Sequence, residues 1–284
     1  MDAVGSLARR SPVVSFFVLA YALSWGLGAV LNGTPVAPNA NFVAGVPLAA
    51  LVVAALTEGR RGVLDLGRRL VRWRVGLRWY AVVFALPLGL VGVALALLPL
   101  AGGTPLDWTK RPGLVETALL LGLLVVLPFG APLGEEVGWR GFALPRLLAR
   151  RSPLAASLVL GVVWSLWHLP VVVSDPVLRT PVPFLLVVVP ASVLFTWLFL
   201  HTRGSVLLAV LFHAWFDVVL AGGAAMVAPG DYARLWWLLL AVQTTAAAAV
   251  IAGERWRLAG DGVAGEASAA AGGAAPRGAR PAVA

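Results

Sequence analysis

The sequence predicts an all-α fold: a polytopic membrane helix bundle of about eight transmembrane helices with both termini cytoplasmic. Three observations predict it. Of 284 residues, 60% are hydrophobic and only 12% charged, whereas soluble domains carry about 25% charged residues. Mean hydropathy is +0.89. The apolar residues gather into runs approaching the ~20 residues that span a bilayer, with arginines clustered between them.

The first span is read as Pro12 to Leu31, behind Arg9 and Arg10. Such a pair also suits a signal peptide cut near Ala40. The run exceeds the roughly 7–15 residues of a signal core, so the segment is read as a retained span. The second span is Asn41 to Leu56. After it, Gly59 to Tyr80 carries Arg60, Arg61, Arg68, Arg69, Arg72, Arg74 and Arg78 among Leu64, Leu66, Leu70, Val71 and Trp73. That mixture reads as a basic helix on the cytoplasmic lipid surface, or alternatively as a sensor of lipid headgroups or substrate tails. The remaining spans are Trp79 to Leu100, Leu114 onward past Pro132, Leu154 to Val173, Pro183 to Leu200, Ser205 to Leu220 and Leu235 to Ala252. Some runs are short, and seven spans is the alternative count. Residues 1–257 form one transmembrane domain with a motif core at 114–220. Residues 258–284, rich in Ala and Gly with Pro276 and Pro281, form a disordered tail.

The basic residues set the orientation, because cytoplasmic loops are enriched in Arg and Lys. With the N-terminus inside, only Lys110, Arg111, Arg179 and Arg234 of the 22 basic residues fall outside, leaving 18 cytoplasmic. The formal charge of +9 is spread between apolar runs and forms no single patch, which argues against nucleic acid as a partner. The absence of Cys removes disulfides, thiolate catalysis and Cys-ligated metal. Arginine-rich, lysine-poor usage suggests a GC-rich bacterial genome, hence an inner-membrane protein for which a prenylated substrate is not expected.

Against this apolar background stand Glu135, Glu136, Arg140, His168, His213 and Asp217. Each carboxylate or arginine near the centre of a span costs roughly 2.5–3.5 kcal/mol, so intramembrane ionisable groups mark function. In Gly134-Glu135-Glu136-Val137-Gly138-Trp139-Arg140, Glu136 and Arg140 are one helical turn apart in the favourable order and form a natural pair. Glu135, about 100° round the helix, is left free to act. Trp164 and His168 share a face, as do His213 and Asp217. The plainer alternatives are a solvated loop around Glu135, a packing histidine at 168 and a local His213–Asp217 hydrogen bond. At about 1.5 Å per residue, the three stations lie at similar depths from the cytoplasm if the fourth helix continues beyond Pro132, kinked at Pro128 and Pro132. His201, beside Arg203, and Glu116, near Lys110 and Arg111, read as interfacial.

These residues support an enzyme. A water held by Glu135 and His168 can attack a peptide carbonyl while His213 stabilises the developing charge. Two imidazoles and a carboxylate also make a zinc shell with an open position. A metal, if present, would therefore be held by Glu135, His168 and His213, although no His-Glu-x-x-His occurs. Direct activation of water by glutamate is the favoured reading, with no cofactor required. The chain has no Gly-x-Ser-x-Gly or Gly-x-Gly-Asp, against serine and aspartyl designs. Buried Glu, His and Asp also suit a proton-coupled transporter, though no inverted repeat supports one. A non-catalytic immunity-type membrane protein is the third alternative.

The ordered motifs Glu135-Glu136-x-x-x-Arg140, Trp164-x-x-x-His168 and His213-x-x-x-Asp217 resemble the CPBP family of intramembrane proteases. Its members include type II CAAX prenyl endopeptidases and bacteriocin-processing or Abi-like, immunity-type proteins. The flanks Gly138-Trp139-Arg140-Gly141, Trp167-His168-Leu169-Pro170 and Arg203-Gly204-Ser205 fit too. The resemblance implies that Glu135 and His168 activate water, that His213 and Asp217 hold that water or the oxyanion, and that Glu136 and Arg140 keep the site in shape. It implies a peptide or protein substrate in or at the bilayer and an active site open to the cytoplasm. Trp164 stands where Phe is commoner. Asp217 replaces the usual Asn, and an ionised carboxylate cannot donate to an oxyanion, so Asp217 is assigned to orienting His213.

Overall fold

The computed structural model describes residues 8–34, 41–126, 131–174 and 181–257. The expected tail at 258–284, the kink at Pro128, the cut near Ala40 and Arg179 lie outside the described residues. The chain builds α1 (Pro12–Val30), α2 (Gly45–Leu70), α3 (Leu77–Leu100), α4 (Leu114–Val126) and α5 (Ala131–Glu136). A π-helical segment, Val137–Ala143, follows directly. Then come α6 (Leu144–Leu148), α7 (Pro153–Trp167), α8 (Leu169–Ser174), α9 (Pro181–His201), α10 (Val206–Ala225) and α11 (Tyr232–Gly253).

The chain is an integral membrane helix bundle. α1, α3, α9, α10 and the stretch Pro229–Gly253 are each long and apolar enough to cross a membrane, while α4 and α7 are shorter apolar helices. The outer faces carry exposed apolar side chains, among them Val18, Leu88, Leu119, Leu123, Val162 and Leu186. Such a belt would be an association hazard in water and is solvated by lipid.

Two expected elements take a different form. α2 does not stop at Leu56 but runs to Leu70 through Gly59, whose φ of 62° and ψ of −148° break the helical path. That conformation is essentially confined to glycine. It turns the apolar first half of α2 into the basic second half, which lays Leu66 into the core. The expected span from Leu154 to Val173 is interrupted at His168. Pro170 has no N–H and its ring crowds the carbonyl four residues back, so α7 ends at Trp167 and α8 begins at Leu169.

Side-chain contacts gather the basic segments at one end of the bundle. Arg9 donates to the Leu56 carbonyl, and Arg146 pairs with Glu58. Arg72 donates to the Arg203 carbonyl, Arg203 to the Arg74 carbonyl and the Ser205 hydroxyl to the Arg72 carbonyl. Trp197 and His201 meet Glu254 there. The opposite end ties Thr104 to Asp231 and the Asp107 amide to the Met226 carbonyl. His201, stacked on Trp79 and Trp197, belongs to the first end. Glu116 accepts from the Gly113 amide.

Candidate active site

The site is built on a helix that tolerates no bulk at its back. The run Ala131 to Leu148 is helical past Pro132, which is the condition that brings Glu135 to the depth of the histidines. A Cβ on Gly138 would collide with Val46 Cγ1 and lie 2.9 Å from Phe16 Cζ. Glycine there lets α1 and α2 press against the π segment, where Phe16 meets Trp139 and Phe142 at ring separations of 5.4 and 5.1 Å. π-helical turns often mark functional sites. This one carries Arg140 and begins just after Glu136.

Arg140 and Glu136 are fully buried and pair at 2.9 Å from Nη1 to Oε1. Among the described residues Arg140 Nε and Nη2 and Glu136 Oε2 have no hydrogen-bond partner. The guanidinium is compensated instead by two aromatic faces, Trp164 at 4.1 Å and Phe195 at 3.9 Å, an interaction that strengthens when water is excluded. Glu136 Oε1 also accepts from His213 Nδ1 at 2.9 Å. One carboxylate oxygen thus ties the π segment to α10.

Trp164 is the hub. Its indole Nε1 donates to Glu135 Oε2 at 2.5 Å, and its ring packs edge-on to His213 with centroids 5.6 Å apart. Glu135 is 2% exposed. His168 reaches the same oxygen from the other side, with Nε2 3.9 Å from Glu135 Oε2. That separation is too long for a direct hydrogen bond and suits one water held between the two groups.

The break after Trp167 sets the chemistry of His168. Its Nδ1 lies 2.8 Å from the Trp164 carbonyl. A carbonyl only accepts, so Nδ1 carries the hydrogen, and in the neutral imidazole it is then Nε2 that presents a lone pair to Glu135. Neighbouring carbonyls near the helix end are taken by Tyr21 on Val163, and by Trp25 at 3.1 Å and Asn41 at 3.5 Å on Trp167. Side chains from α1 and its following loop therefore hold the histidine end of α7 in place.

The opposite flank is His213, whose Nε2 lies 3.8 Å from Asp217 Oδ2. Nδ1 is committed to Glu136, which fixes the ring and leaves Nε2 open on the side of Asp217. Asp217 sits one helical turn from His213 on the same face, beyond direct hydrogen-bond distance. His168, His213 and Asp217 line an apolar cavity of about 110 Å³ walled by Phe184, Phe195 and Phe216 among others. Glu135 stands behind Trp164 and is not part of that lining, so the carboxylate and the two histidines do not share one cavity wall. Nor do the described residues hold three His, Asp or Glu groups arranged for one metal ion. Glu135, His168 and His213 are therefore not gathered around one point as the zinc shell that composition allows would need.

Several site contacts escape spacing arguments. Phe195, Tyr21, Trp25 and Asn41 touch the site residues from distant helices, and no local periodicity announces that. Gln243 did carry a signal, as an amide inside an apolar run. It lines the cavity from α11.

Residues 117–219 match the family model described as type II CAAX prenyl endopeptidase Rce1-like, a stretch containing all six ionisable residues of the site. The chain is also similar to CAAX prenyl protease 2 of Methanococcus maripaludis, at 26% identity over 216 residues covering 70% of this chain and 79% of the relative. The two matches and the helical membrane fold support a CPBP-family protease.

Proposed function

We propose that the protein is an intramembrane endopeptidase that hydrolyses a peptide bond of a membrane-associated peptide or protein, using a water activated by Glu135 and His168. The observation that carries this is the 3.9 Å gap between the His168 Nε2 lone pair and Glu135 Oε2, beside an apolar cavity lined by His168 and His213. In the proposed step the water gives a proton to Glu135 as its oxygen adds to the peptide carbonyl. His213, in its imidazolium form, donates from Nδ1 to Glu136 and from Nε2 to the oxyanion. Glu135 then returns the proton to the leaving nitrogen as the C–N bond breaks. Asp217 positions His213, and Glu136 with Arg140 holds the frame. No step runs through a metal ion.

The basic end is assigned to the cytoplasm and the protein to a bacterial inner membrane, with the bilayer and a peptide or protein substrate as its partners. The relative's name describes a prenyl protease, and a prenylated peptide is therefore one substrate to test beside an unmodified one. Purified Glu135→Gln should fold with unchanged helical content and lose at least about 10²-fold of the activity on fluorescent peptides, the scale of a general base. EDTA should leave the wild-type rate unchanged. Full activity in Glu135→Gln would overturn the proposal.

A further inference from the structure

We infer that Gln243 reads a substrate side chain entering the apolar cavity, and that the side chain it selects is neutral, of middle size and tipped with a hydrogen-bonding group, as in Gln, Asn or Thr. This rests on the endopeptidase reading above. Gln243 lies about 17 Å along α11 from Tyr232 at 1.5 Å per residue, near the middle of that helix. It is 1% exposed and lines the same cavity as His168, His213 and Asp217. Among the described residues that line the cavity it is the one amide, in a wall otherwise made of apolar and aromatic residues with His168, His213 and Asp217. Buried amides are almost always partnered, and leaving one unpaired destabilises the fold. An amide in that wall can take its hydrogen-bond partner from a substrate side chain that enters the cavity.

Size and polarity narrow that partner. At ~110 Å³ the cavity is smaller than the engineered apolar cavity of about 150 Å³ that holds benzene, which favours a slim side chain over an aromatic ring. It exceeds several-fold the ~10–15 Å³ that one water needs and admits a short chain of heavy atoms. Apart from Gln243, His168, His213 and Asp217, the lining is apolar or aromatic, with Leu90, Val187 and Leu194 among it. The one carboxylate of the lining, Asp217, already faces His213, so a charged tip finds no free counter-charge and its burial is costly. An amide both donates and accepts, so hydroxyl and amide tips both satisfy it. A wholly apolar side chain of the same size leaves it unpaired, and sites built this way discriminate strongly against analogues lacking the polar group.

The test compares host membranes carrying wild type, Glu135→Gln and Gln243→Met, with new protein termini identified by amine labelling and mass spectrometry. Gln, Asn and Thr should be enriched next to bonds cut by wild type, and Gln243→Met should shift that position to Leu and Met. On matched peptides differing only as Gln or Met at that position, wild type should favour Gln by about tenfold in kcat/KM, a factor within one unpaired buried group's effect, and the variant should lose or invert the preference. An unchanged preference in Gln243→Met overturns this inference and leaves the endopeptidase reading standing. Termini that do not differ between wild type and Glu135→Gln overturn the endopeptidase reading and this inference with it. A residue that serves the substrate and not the fold can be replaced without loss of stability, so Gln243→Met should melt no lower than wild type. A lower melting point would make Gln243 a structural tie and also overturn the inference.

Discussion

Glu135 and Glu136 are adjacent carboxylates with opposite assignments, and their neighbours explain the difference. Glu136 Oε1 holds both Arg140 and His213 at 2.9 Å, whereas Glu135 has a neutral indole and the lone-pair side of His168. Replacing Glu136 by Gln leaves Arg140 buried without a counter-charge, and breaking such a pair costs about 3–5 kcal/mol. Glu136→Gln should therefore lower the unfolding midpoint in detergent sharply, in contrast to Glu135→Gln. An unchanged midpoint would remove Glu136 from the frame. The Glu136–Arg140 pair was legible from four-residue spacing alone. The Glu136–His213 bond was not, because it joins residues 77 positions apart and exists only once α10 packs on the π segment.

At the scale of elements, each apolar run announced a helix, but two local irregularities at the site did not follow from the runs. Spacing assumes a uniform 3.6-residue turn, and the wider π turn at Val137–Ala143 departs from it without any proline to signal the change. The break at His168 had a signal in Pro170, since a proline two residues on ends regular bonding upstream. Gly138 is the residue on which this region depends. Gly138→Ala should cost about 1–3 kcal/mol through overpacking against Val46 and Phe16, and should reduce activity by displacing Arg140. Combining it with Val46→Ala should recover part of the loss. If the two changes simply add, the close approach is not what glycine serves.

For the whole molecule, the grouping of the basic segments was the most legible property. Arginines distant in sequence, from Arg9 to Arg203, meet at one end through the contacts that hold the loops together. Reporter fusions after Arg78 and after Arg257 should both read cytoplasmic and one after Gly103 external. An external reading after Arg257 would refute the shared end. What the runs could not convey is how α2 divides its labour at Gly59, since a continuous helix and a bent one have the same composition. The bent half leads to a joint with α10. Ser205 accepts from the Leu208 amide at 3.2 Å while its hydroxyl proton goes to the Arg72 carbonyl at 2.6 Å, and both nearby guanidinium contacts also end on carbonyls. A fastening made on neutral acceptors has no carboxylate to titrate, so acid does not release it. The first turn of α10 is thereby pinned to the segment after α2, and His213, about two turns further on, inherits its height from that joint.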